Sequence, residues 1–88
     1  MKVISNNCRL VNYRGEFILQ VMYEGRPKGI RLNTVSRMIF GLLQHDTTKE
    51  EMIEKLSEKV DGTKEDIARQ IDLVVETLDR YGAMKMDQ

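Results

Sequence analysis

The apolar pattern of this chain changes period once, at Leu32-Asn33, and that change restricts the fold more than any other feature. In the stretch "KGIRLNTVSRMIFGLL" (28–43) the first residues alternate apolar and polar, whereas Val35, Met38, Ile39, Leu42 and Leu43 fall at i, i+3, i+4, i+7 and i+8. A two-residue period lines one face of a strand, and a 3.6-residue period lines one face of a helix. A chain that runs as strands up to Leu32 and as helices after it must bury a sheet face and several helical stripes against one another. The expected class is α+β.

Upstream of the change, "CRLVNY" (8–13) and "EFILQVMY" (16–23) flank Arg14-Gly15, the pattern of an antiparallel hairpin whose glycine supplies the turn. In the second segment Phe17, Leu19, Val21 and Tyr23 share one face and Ile18, Gln20 and Met22 the other. Two largely apolar faces suit a central strand. "EGRPKG" (24–29) sets the sole proline between two glycines and reads as a turn, which leaves a third strand over 29–32 with Ile30 and Leu32 on one face and Arg31 opposite.

Downstream, Asn33 is placed to cap a helix over 34–44. Thr48 with Glu51 reads as a capping box for a helix over 49–60, whose stripe is Met52, Ile53, Leu56 and Val60. Thr63 with Asp66 repeats that start for a helix over 64–81, with Ile67, Ile71, Val74, Leu78 and Tyr81 as its seam and Gly82 as its stop. The expectation is one domain over 1–88, a three-stranded antiparallel sheet followed by a three-helix bundle, similar in outline to a winged helix-turn-helix.

Chemistry-bearing residues are few. His45 and Cys8 are the sole histidine and cysteine and fall in different elements, which argues against a nucleophile pair and against metal-ligand spacing. No phosphate-binding glycine motif is present. Glu50-Glu51 and Glu65-Asp66 occupy first helical turns, where the helix dipole accounts for them. The reading is a protein without catalysis of its own, with no cofactor and no metal. One cysteine, no long apolar run and no signal-peptide pattern point to the cytoplasm and away from a membrane.

Net charge is zero, but residues 1–46 hold seven basic residues against three acidic, and 47–88 hold seven against eleven. The last helix, the natural recognition element of a winged helix, carries Lys64, Arg69 and Arg80 against Glu65, Asp66, Asp72, Glu76 and Asp79. A net-acidic helix is electrostatically wrong for a phosphate-lined groove, so nucleic acid is not the expected partner and a winged-helix regulator is the runner-up. A structural dimer joined through Ile18 and Met22 or through a sheet edge is the third possibility. Leu73 falls off the apolar seam, among Asp66, Arg69, Thr77 and Arg80. A lone surface leucine is ordinary and gains meaning only if something lies along that face.

Four segments in order, "LNTVSRMIFGLL" (32–43), "TKEEMIEKLSEKV" (48–60), "KEDIARQIDLVVETL" (64–78) and "YGAM" (81–84), resemble the PqqD family. That family comprises coenzyme PQQ synthesis protein D and the wider set of RiPP precursor-peptide recognition elements. The resemblance runs from about Cys8 to Met84, and departs from the family's usual pattern at His45-Asp46 and at Ala83-Met84. It implies a non-catalytic domain, monomer or homodimer, that captures the leader of a ribosomally made precursor peptide and delivers it to a modifying enzyme, often a radical SAM maturase. The leader would add as a strand to the edge formed by Lys28, Gly29, Ile30, Arg31 and Leu32, and lie against Asp66, Arg69, Gln70, Leu73 and Thr77 of the last helix. Main-chain hydrogen bonds would supply sequence-independent affinity and side-chain pockets selectivity.

Overall fold

Two hairpin turns organise the sheet. Arg14 (φ 52°) with Gly15 (φ 82°), and Glu24 (φ 53°) with Gly25 (φ 76°), each form a two-residue connection with both residues left-handed. This is the type I′ geometry that matches strand twist. The computed structural model describes residues 1–4 and 8–86 of the chain. In it β1 (Lys2–Val3), β2 (Cys8–Tyr13), β3 (Glu16–Tyr23) and β4 (Arg26–Leu32) precede α1 (Thr34–Leu42), α2 (Lys49–Ser57), α3 (Lys64–Arg80) and β5 (Met84–Lys85). The expected class is the observed one: an antiparallel sheet of order β2-β3-β4 is followed by three helices.

The third strand is longer than its alternation suggested. It starts at Arg26, not at 29, so the turn is Glu24-Gly25 alone and Pro27 lies inside the strand, opposite Met22. Hydrogen-bond parity explains why proline is tolerated there. Tyr23 and Arg26 flank the two-residue turn and therefore exchange both their bonds, so Lys28, Ile30 and Leu32 also face β3, while Pro27, Gly29 and Arg31 face away. The missing N–H of Pro27 belongs to the outer side, where the ladder does not need it.

Helix starts follow their caps. The side chains of Asn33, Thr48 and Thr63 each accept the N–H three residues on. At α3 the box is complete, because Asp66 Oδ2 also accepts the Thr63 N–H at 3.3 Å. At α2 it is only half formed: Glu51 Oε2 turns instead to the hydroxyl of Thr47, 3.4 Å away. Helix ends fall short of the apolar stripes, at Leu42, Ser57 and Arg80 where 44, 60 and 81 were expected. Val60 sits beyond α2, where its N–H bonds back to Leu56 O at 2.9 Å.

After α3, Gly82 (φ 70°) donates to Asp79 O at 3.0 Å, and Ala83 donates to Leu78 O at 2.8 Å. This is the paired closure of a Schellman motif. It turns Met84 toward β1, where Lys2 pairs with Lys85 and Val3 with Met84. The sequence reading missed this two-stranded sheet, since two-residue strands carry no period. Its buried Val3 and Met84, with Ala83 just before β5, share one apolar core with Leu19 and Val21 of β3 and the inner stripes of all three helices.

Candidate functional site

β4 borders the sheet, and no strand among the described residues pairs with its outer side. By the parity above, the N–H and C=O groups of Gly29 and Arg31 point outward, and neither makes a backbone hydrogen bond among the described residues. Ile30 and Leu32 bond inward to β3 and turn their half-buried side chains toward the helices. Buried unpaired backbone groups are rare, so their presence on an exposed border marks a place where water or a second chain completes them.

That border opens onto a groove of about 240 Å³ between β4 and α3. Leu19, Leu32, Phe40, Val74 and Leu78 form its floor and walls, and Leu73, 53% exposed, stands at its lip. The volume lies below the roughly 300–1,000 Å³ of small-molecule sites and suits one or two inserted side chains. A second hollow adjoins it through Asn33 and Gln70 and continues past Asp66 to Gly62. Together they make a trench along the α3 face that carries Asp66, Gln70, Leu73 and Thr77, spaced for one helical side.

Of the residues expected at the site, Ile30, Arg31, Leu32, Gln70, Leu73 and Thr77 line the groove, and Asp66 lines the adjoining hollow. Lys28, Gly29 and Arg69 are not among the residues lining either. Lys28 and Gly29 belong to the exposed border itself. The polar groups divide into engaged and free. Thr77 Oγ1 donates to Leu73 O at 2.7 Å, Arg69 Nη1 lies 3.6 Å from Asp66 Oδ1, and Arg31 Nε lies 3.3 Å from Glu16 Oε2. Neither the Gln70 amide nor the Ser36 hydroxyl has a hydrogen-bond partner among the described residues, so both are available to the groove as donor and acceptor.

Sequence reasoning missed Phe40, Asn33, Ser36, Leu19, Val74 and Leu78 as groove residues. Phe40 is 93% buried yet lies off the stripe that begins at Val35, because α1 is rolled to bring Ile39 and Phe40 together against the sheet. The pair Ile39-Phe40 in the sequence was the available signal. At the far end of the sheet, the Tyr23 and Tyr81 rings meet edge to face at 5.1 Å and tie β3 to the end of α3. At the near end, the Arg37 guanidinium covers the Phe17 ring at 4.1 Å.

On α3 the acidic residues outnumber the basic ones, five to three. Of the basic residues on α3, Lys64 pairs with Glu54 at 3.4 Å and Arg69 with Asp66, while Asp72 faces Lys49 at 2.9 Å. Among the described residues no three His, Cys, Asp or Glu side chains gather as a metal site. Burial pushes the Cys8 thiol up, away from the thiolate that a nucleophile requires, and its Sγ contacts Ile4 O at 3.6 Å. Among the described residues no helix is long and apolar enough to cross a membrane.

The family model described as coenzyme PQQ synthesis protein D (PqqD) matches residues 19–83, which leaves β2 outside the match although the sequence resemblance began there. A solved structure, TbiB1 in complex with the TbiA(beta) leader peptide, superposes with a TM-score of 0.74 at 19% identity, covering 100% of this chain and 99% of that one. The likeness establishes a shared fold. No curated protein matches the chain.

Proposed function

The chain belongs to the PqqD family, and from that premise we propose that it binds the leader of a ribosomally made precursor peptide along β4 and presents it to a modifying enzyme, a radical SAM maturase. The role is recognition, without catalysis by this chain. The observation that carries the reading is the unpaired outer side of β4 opening onto an apolar groove lipped by an exposed leucine. That the similarly folded TbiB1 holds a leader peptide supports it.

The peptide joins as a fourth strand, antiparallel to β4, and exchanges hydrogen bonds with Gly29 and Arg31. Each such bond contributes about 1 kcal/mol net, because water is displaced from both partners. Peptide side chains opposite Ile30 and Leu32 share their face and drop toward Phe40, Leu73 and Val74. Burying each fully contributes roughly 1.5–3 kcal/mol, so the groove sets selectivity and the ladder sets register. Arg31 and Lys28, both exposed, favour an acidic leader.

The test is Arg31→Pro, which deletes an outward N–H. Its probe is the N-terminal segment of a short peptide gene adjacent to this chain's own gene. Loss of binding with the fold retained is the expected result. Retained binding in a folded variant would place the peptide elsewhere.

A further inference from the structure

A strand laid along β4 has two faces, and the groove accounts for only one. We propose, resting on the strand-addition reading, that Gly29 forms a second subsite on the opposite face of the sheet, where an aromatic or large apolar side chain of the bound peptide lies across the glycine against Ile18.

Nothing in the backbone calls for glycine at this position. Gly29 is paired with Gln20 in regular strand, and its φ lies outside the left-handed region that the turn glycines occupy. What matters is the absent side chain. A Cβ at Gly29 would come within 3.2 Å of Ile18 Cγ2, closer than side chains normally approach, so Ile18 leans over the glycine from the neighbouring strand. Glycine inside a strand commonly marks a place where another group approaches closely, and an aromatic on the adjacent strand can cover it.

On this solvent-facing side Gly29 has polar neighbours in Gln20, its direct partner, and Arg31, and apolar ones in Ile18 and Pro27. Ile18 is half-buried and sits beside Val11, its direct partner on β2, while Met22 (52% exposed) and Pro27 face each other two pairs nearer the turn than Gln20 and Gly29. The row Val11–Ile18 continues on β4 into Arg31, the direct partner of Ile18, and Ile18 reaches Gly29 across the diagonal, one strand short of where the peptide would lie. The added strand and β3 would be about 10 Å apart, two strand spacings. A ring extending inward and Ile18 leaning outward span that gap.

Parity assigns the position. The peptide residues opposite Gly29 and Arg31 share the outer face, and those opposite Ile30 and Leu32 share the groove face. An antiparallel peptide therefore reads, from its N-terminal side, apolar, variable, apolar, aromatic, opposite Leu32, Arg31, Ile30 and Gly29 in turn. Gripping alternate residues from both faces fixes register, which a groove on one face leaves free to slip by two.

The probe is a phage-displayed random peptide library selected on the whole chain, followed by affinity measurement on one synthetic selected peptide. An N-methyl scan of that peptide identifies the residues bonded to Gly29 and Arg31. One of these is expected to be aromatic or large and apolar, and its replacement by alanine should weaken binding about fivefold on the unaltered chain. The same replacement should cost about twofold or less on Ile18→Ala, the expected loss of a coupled contact. Gly29→Val, with melting temperature as the fold control, should weaken the parent peptide and leave its alanine version unchanged. Equal alanine costs on all three chains would overturn the subsite while strand addition stands. An N-methyl scan without effect, together with undiminished binding to Arg31→Pro, would instead overturn the strand-addition reading beneath it.

Discussion

Two borders of this molecule treat their backbone groups in opposite ways. At the corner made by β1 and β5, four short segments close on one another: Val3 N–H bonds to Leu43 O, Ile4 N–H to Ala83 O, and Thr47 N–H to Met1 O, at 2.8 to 3.0 Å. The amino group of Met1 reaches both Asp46 and Thr47 O at 2.8 Å, and holds the Asp46 carboxyl below the usual range. At β4, a seven-residue strand leaves its outer side without a strand partner among the described residues. A chain of 88 residues buries little surface to spare. It closes the corner with two-residue strands and leaves both edges of the larger sheet, β2 and β4, without a strand partner among the described residues; of these two, β4 is the one that borders the groove against α3, as a strand acceptor requires.

The contrast can be broken most forcefully at the corner. Leu43→Ala removes a fully buried side chain whose carbonyl anchors β1, and is expected to cost about 3 kcal/mol in urea unfolding with unchanged peptide affinity in the folded fraction. A change in affinity would mean that the two borders are coupled. Next is a pair of prolines one residue apart. Ile30→Pro removes a ladder bond to β3 and should destabilise by roughly 3 kcal/mol. Arg31→Pro, at the parity of Pro27, should leave the fold intact and weaken peptide binding about thirtyfold, the worth of one outward bond and a disturbed register. Similar melting temperatures for the two variants would refute the parity. Leu73→Asp should weaken binding about tenfold while shifting stability by less than about 0.5 kcal/mol, since the side chain is exposed in the unbound protein. A large fall in melting temperature would show that this leucine belongs to the core.

Much of this was legible because long periodic segments declare themselves. The β2–β3 hairpin, the caps at Asn33, Thr48 and Thr63, and the stop at Gly82 follow from local chemistry that tertiary packing did not override. Leu73 was visible as the residue off its seam, and the groove gives it a neighbour. Pro27 misled, because a proline between glycines reads as a turn unless one knows which side of the strand its nitrogen faces. Phe40 and the β1–β5 corner were illegible for a related reason. The roll of α1 and the return of the chain after Gly82 are decided by long-range packing, and local sequence periods do not encode it.

The alternation along β4 also gives the protein a built-in isotopic reporter. In the unoccupied state the amides of Gly29 and Arg31 face water and should trade hydrogen for deuterium almost as fast as in an open chain, while those of Lys28, Ile30 and Leu32 are held by β3 and lag behind. Occupancy would slow the fast pair and leave the slow three nearly as they were. Two amide resonances would then follow capture and release directly, without a label on either molecule.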